Sequence, residues 1–215
     1  MRKSKAEAAE TRRRIVEVAA REFRLKGIHS THLADVMAAA GLTHGAFYRH
    51  FRSKDQLVAE ACAEGMGTLV NSTEAAATQG AASLFEFVKS FLSTKFHDNA
   101  FQACPLVTMG SELARADVDT RQAASDGLQD VISILVAQAP SSDKATATAD
   151  ALFQVSCMIG AVTLARIVPD RQFADQILEQ VQTRLAKSSQ LLAREQVAGE
   201  AGKANRTSKD VEPVA

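Results

Sequence analysis

Residues 41–57 read GLTHGAFYRHFRSKDQL and compress a turn, a short helix and the start of another helix into seventeen residues. Gly41 supplies the left-handed backbone that ends a preceding helix, Leu42 can plug the turn into a core, and Thr43 can cap the next helix. The spacing predicts a helix over 44–50. Its first residues, His44, Gly45 and Ala46, are small or polar, so that end can come close to another surface. Phe47 and Phe51 lie four apart and share an inward face, which leaves Tyr48, Arg49, His50 and Arg52 pointing outward. Ser53 with Gln56 three residues later has the pattern of a capping box, and Lys54 stands at the N-terminus of the helix it opens. Exposed amides beside a lysine suit a phosphate.

Upstream, Leu33, Val36, Met37 and Ala40 fall at helical spacing, with Ser30 or Thr31 available as an N-cap. Two helices about so short a turn make a helix-turn-helix, whose second helix enters a DNA groove. Base reading then falls to Thr43, His44 and Gly45: an imidazole can donate to a purine acceptor, and a threonine methyl can touch that of thymine. Tyr48, the one tyrosine of the chain, can reach a phosphate, as can Arg49, His50 and Lys54. Thr31 and Thr43 are expected at helix N-termini that offer amides to phosphate.

The charge distribution points the same way. The whole chain is neutral, yet residues 1–60 carry 12 Lys and Arg against 7 Asp and Glu, a net of +5, and the remainder carries −5. Most of these charges solvate helix faces, but the run Arg12, Arg13, Arg14 asks for a further reason. The pair His29 and His32 lacks cysteine or carboxylate partners at ligand spacing, so no metal is expected, and no cofactor motif is present.

Residues 12–57 resemble the N-terminal domain of the TetR family of bacterial transcriptional regulators, of the TetR/AcrR type. The resemblance is carried by Ile15, Ala19, Phe23 and Gly27 on the first helix, Thr31 at the start of the second, AAAGLT at 38–43 and GAFYRHFRSKDQL at 45–57. Met37 stands where a small residue is more usual. His44 stands where Lys or Arg is frequent, which leaves the base preference open. The resemblance implies an all-α protein: a three-helix helix-turn-helix domain, then a helical bundle for ligand binding and dimerisation. It also implies repression rather than activation, and a homodimer joined by the last two helices. Two recognition helices would then enter successive major grooves of double-stranded DNA, about 34–36 Å apart on a palindromic operator.

The rest of the chain agrees with an all-α reading. Helices are expected over 7–26, 32–40, 44–50, 54–78, 82–98, 105–115, 118–138, 143–168 and 171–196, punctuated by Gly80, Pro105, Pro140 and Pro169. The expected domains are 1–53 for DNA binding, 54–197 for regulation and dimerisation, and 198–215 as a disordered tail without periodic apolar residues. Cys62, Cys104 and Cys157 show no paired spacing, which fits a reducing cytoplasm. No apolar stretch follows the basic N-terminus, and the apolar run 155–165 is broken by Ser156, Gly160 and Thr163, so neither a signal peptide nor a membrane partner is expected.

Phe85, Phe87, Phe91, Phe96, Phe101, Met109, Phe153 and Met158 can fill a helical core or line an apolar cavity for a small-molecule effector, with Thr108, Gln154 and Ser156 as polar members. The effector contacts expected are Phe91, Cys104, Met109, Phe153 and Met158. Cys104 precedes Pro105 and so falls at a helix N-cap, where a thiol pKa is lowered. The segment ACPLVTMGSELAR resembles the corresponding helix of a TetR subgroup that carries a cysteine there, some members sensing electrophiles or oxidants. The alternative is a small buried residue packed on Met109. Release of DNA by an apolar ligand or a cysteine-reactive compound would act by tilting the helix that begins at Lys54.

Other classes fit less well. The chain has no Gly-rich phosphate loop, GxSxG elbow, HExxH pair or paired Glu-x-x-His repeats, so an enzyme is not expected. An adaptor that kept the fold, lost specific DNA binding and acts through a protein partner would not need the intact 43–54 pattern.

Overall fold

The computed structural model describes residues 4–93, 104–139, 141 and 143–187. Its regular elements are all helical. Helix α1 (Lys5–Lys26) opens on a capping box in which Ser4 and Glu7 accept each other's backbone N–H, and it closes at Gly27 with φ +85°. Helix α2 (Leu33–Ala39) follows, and then a 3₁₀ helix (His44–Arg49). Helix α3 (Lys54–Thr78) occupies the interval that the spacing predicts. Beyond Gly80 come α4 (Ala81–Phe91), α5 (Pro105–Thr108), α6 (Gly110–Leu113), α7 (Val118–Ala137), α8 (Lys144–Ile167) and α9 over 171–187. The parts of the expected helices at 94–98 and 188–196, Phe96, Phe101 and the tail 198–215 lie outside the described residues.

The turn after α2 is a Schellman motif. Leu42 N–H reaches back to Met37 O at 2.8 Å and Gly41 N–H to Ala38 O at 2.9 Å, with Gly41 at φ +70°. An added Cβ at Gly41 would meet nothing within 4 Å, so the glycine answers to backbone conformation and not to space. The segment after it winds as 3₁₀ helix and not as the expected α-helix. Six residues beginning with a poor helix former give too few i→i+4 bonds to hold the wider geometry.

Helix 105–115 is likewise not continuous. Met109 sits at φ −123°, which breaks it into α5 and α6 and turns the Met109 side chain into the N-terminal core. The two pieces stay joined by backbone bonds, Met109 N–H to Pro105 O and Leu113 N–H to Met109 O, both 2.8 Å.

Three apolar clusters meet along α3. The first joins α1, α2, the 3₁₀ helix and the front of α3, and it takes in Met109, Leu113 and Ala124 from beyond. The second gathers α4, α5, α8 and α9; the third gathers the back of α3 with α4, α7 and α8. Leu69 packs against all three. Helix α7 lies so close on α3 that a Cβ added at Gly127 would fall 2.5 Å from Met66 Cβ. Only a glycine leaves room there for the Met66 side chain, so the two helices pack closely at this point.

Helix α8 is long and apolar enough to cross a membrane by length and composition. Its inner side, with Ala147, Ala151, Val155, Met158, Val162 and Ala165, is buried in the bundle. Leu152, Phe153, Leu164 and Ile167 lie exposed on the opposite face, with Phe173 of α9 exposed as well.

Candidate DNA-binding surface and effector cavity

The 3₁₀ helix is anchored from one side only. Phe47 and Phe51 are buried and stack with ring centroids 5.4 Å apart. Burying a phenylalanine side chain contributes about 1.5–3 kcal/mol, enough to fix the orientation of so short an element. Arg12 seals the far end: its guanidinium lies 4.5 Å from the Phe51 ring centroid, donates to His50 O at 3.3 Å and forms a two-pronged pair with Glu60 of α3. Part of the basic run at 12–14 is thereby accounted for inside the protein. Arg13 pairs with Glu10 and Glu17.

Facing out from this anchor are Thr43, His44, Gly45, Tyr48 and Arg49, all exposed, with His50 half-buried beside them. Tyr48 is 66% exposed yet held edge-on against Phe47, with centroids 5.2 Å apart, and His44 packs edge-on against Tyr48 at 6.2 Å. Gly45 meets no protein atom within 4 Å of an added Cβ, so this stretch of backbone presents itself directly to its surroundings. The result is a flat polar edge with donors at His44, Arg49 and Tyr48.

Two expected contacts stand elsewhere. Thr31 is fully buried and donates its hydroxyl to Gly27 O at 2.7 Å, while His32 takes the N-cap position of α2. The Thr31 side chain closes the corner between α1 and α2. Lys54 also turns inward: Nζ donates to Ile28 O and Thr31 O, each at 2.8 Å. The ammonium takes those two carbonyls because the corner brings them over the start of α3. The Ser53 cap forms, accepting Gln56 N–H at 3.1 Å, but Gln56 reaches back to Arg52 N–H and not to Ser53, so the box is not reciprocal.

Residues 15–61, which run from α1 through the exposed edge to the front of α3, match the model for bacterial regulatory proteins of the tetR family. The N-terminal domain of this chain belongs to the TetR family. The transcriptional regulator AcrR of Shigella flexneri is 49% identical over 59 residues, 27% of each chain. TtgR of Pseudomonas putida is 48% identical over 58 residues, 27% of this chain and 28% of its own. The match therefore spans about a quarter of the length of these relatives. Over the larger span, a TetR transcriptional regulator from Chloroflexus aurantiacus superposes with a TM-score of 0.65 at 26% identity, covering 85% of this chain and 95% of that one.

Behind α3 the bundle lines a partly open apolar cavity of about 40 Å³. Its wall takes Leu69 and Thr73 from α3, Phe87 and Phe91 from α4, Cys104 and Leu106 around α5, Val131 and Leu135 from α7, and Val155 and Met158 from α8. Of the expected effector contacts, Phe91, Cys104 and Met158 stand in this wall. Met109 is buried in the N-terminal core instead, because the break at its own position turns it away. Phe153 is 61% exposed on the outer face of α8, two positions from the inward Val155 and so on the wrong side of the helix. Among the expected polar members, Thr108 spends its hydroxyl on Cys104 O and Ser156 is exposed. Thr73, which periodicity alone does not single out, supplies a hydroxyl that donates to Leu69 O at 2.9 Å.

Cys104 does occupy the N-cap of α5, followed by Pro105. Burial nevertheless pushes its thiol pKa up, outweighing the N–H groups of Val107 and Leu106 and the charge of Arg24, which pull it down. A four-residue helix in an apolar wall does not make a thiolate. Cys62 is also pushed up, to about 11, by burial.

Proposed function

We propose that the protein is a transcriptional repressor that binds a palindromic operator as a homodimer and releases it on binding a small, uncharged apolar ligand. The observation that carries the reading is the exposed edge of Thr43, His44, Gly45 and Tyr48 on a helix locked from behind by Phe47 and Phe51. Thr43, His44 and Gly45 read bases; Tyr48, Arg49 and His50 hold phosphates. The names of AcrR and TtgR as transcriptional regulators support this. Residues 1–53 serve DNA binding and 54–197 regulation.

The apolar face formed by Phe153, Leu164 and Ile167 of α8, with Phe173 of α9, supports dimerisation, since an exposed apolar stripe on two long helices is the surface a second copy would cover. The cavity supports the ligand class: among the described residues no charged side chain lines it, and a charge placed there would lose its hydration without a partner. A ligand that prefers a conformation unfit for the operator shifts the population away from DNA. Helix α3, shared by all three cores, transmits the change. Cys104 acts as cavity wall in this reading, and its raised pKa weighs against release by a cysteine-reactive compound.

The test is His44→Ala measured on an operator duplex and on a scrambled duplex of equal length. A base-reading role predicts a loss of about 1–2 kcal/mol on the operator and little change on the scrambled duplex. Equal losses on both would move His44 to backbone binding and remove the base-reading assignment.

A further inference from the structure

We infer that Arg12 and Glu60 are positioning residues for base recognition: with Gln56 they hold the backbone on both sides of Phe51 and so set the attitude of the DNA-facing 3₁₀ helix without touching DNA themselves. This deepens the DNA-binding reading above and rests on it. Arg12 of α1 donates through Nε to His50 O at 3.3 Å and grips both carboxylate oxygens of Glu60. Gln56 Nε2 donates to Glu60 Oε1 at 3.1 Å, and Gln56 Oε1 accepts Arg52 N–H at 2.8 Å. A chain of side chains from α1 and α3 thus runs from the carbonyl before Phe51 to the amide after it, and the guanidinium lies over the Phe51 ring between them.

The 3₁₀ helix needs that chain. It has six residues and few internal bonds, among them Ala46 N–H to Thr43 O at 3.0 Å and His50 N–H to Phe47 O at 2.9 Å, so it has little stability of its own. Phe47 and Phe51 anchor it at two places on one face. Two anchors define a line, and a helix can still rock about it, swinging Thr43, His44 and Gly45 against a base edge. Polar recognition requires groups placed to within about 0.5 Å. The hold on His50 O and Arg52 N–H supplies the further fixed points, and a cation at the C-terminal end of the helix also answers its dipole. The Arg12 and Glu60 side chains are 36% and 31% exposed, and an ion pair that open adds little to global stability. Its work is local order at the recognition helix.

The experiment is Arg12→Lys in the full chain. Lysine keeps the charge, and would keep a phosphate contact, but lacks the planar fork that serves Glu60 and His50 O together. Tyr48 is the only tyrosine and the chain has no tryptophan, so tyrosine fluorescence anisotropy in the absence of DNA reports on this helix alone. The anisotropy should fall while the urea midpoint stays close to that of wild type. The ratio of affinities for an operator duplex selected from the source genome and a scrambled duplex should fall about tenfold, with the salt slope unchanged. Glu60→Gln, which leaves Arg12 in place without its carboxylate, should lower anisotropy and ratio likewise, and it decides should Arg12→Lys fail to fold. Unchanged anisotropy overturns the proposal. So does an affinity ratio that stays at the wild-type value, since a merely structural contact weakens binding to both duplexes alike. A wild type that does not distinguish the duplexes sinks the DNA-binding reading, and the anisotropy then decides by itself whether Arg12 orders the helix.

Discussion

Lys54 Nζ lies 2.8 Å from the carbonyl oxygen of Thr31, and it spends a second proton on Ile28 O at the same distance. A lysine whose position at a helix N-terminus suggests phosphate binding is thereby occupied in closing the corner that orients α2. The consequence is separable in measurement. Lys54→Ala should lower the stability of the protein by about 1–2 kcal/mol, read by thermal or denaturant unfolding. The slope of log affinity against log salt should change by less than about one charge. A slope reduced by about one with unaltered stability would return Lys54 to the phosphate contacts.

The cysteines give a second expectation. With Cys62 at about 11 and Cys104 raised by burial, the thiolate fraction at neutral pH falls below that of a free cysteine. Mild N-ethylmaleimide treatment followed by mass spectrometry should leave both unlabelled in the native protein and label them on unfolding. Rapid labelling of Cys104 in the folded state would restore it as a reactive sensor.

Glu112 gives a pH dependence with a definite sign. Burial acts to raise its pKa, but the N–H groups of His29 and Ile28 and the His29 ring outweigh this and hold it below 4.5. A depressed folded-state value means that the carboxylate adds stability above the unfolded value and loses it as pH falls through the folded one. Glu112→Gln should therefore be less stable than wild type near neutrality, with the difference closing at pH values well below 4.5. A stability difference independent of pH would show that the charge is not what holds the corner.

The outer face of α8 gives a fourth. Phe153 is 61% and Ile167 69% exposed, on a helix whose other side is buried. Wild-type protein at micromolar concentration should sediment as a dimer, and Phe153→Glu with Ile167→Glu should sediment as a folded monomer. A monomeric wild type would contradict the dimer.

Where the fold was legible, local chemistry carried it. Gly41, the Phe47 and Phe51 pair and the start of α3 depend on neighbours within a few residues, so spacing alone locates them. Thr31, Lys54 and Glu112 depend on partners brought by tertiary packing. Thr31 and Lys54 both resemble surface contacts until the α1–α2 corner is closed over them, and nothing near Glu112 in sequence signals an acceptor role toward Ile28. The cavity was half legible for the same reason. Apolar type at helical spacing singles out Phe91 and Met158, which line the cavity, but cannot distinguish Val155 from Phe153, two residues along and on opposite sides of α8. The break at Met109 has one local marker, the poor helix former Gly110 that follows it, while Pro105 only opens the helix.

Operator binding itself is decided by selecting bound fragments from the source genome with the purified protein, under reducing conditions at moderate salt. A palindrome whose half-sites are centred about one helical turn, or a multiple of it, apart should be enriched. Retention of no duplex DNA, even at low salt, would contradict specific DNA binding and favour an adaptor that acts through a protein partner.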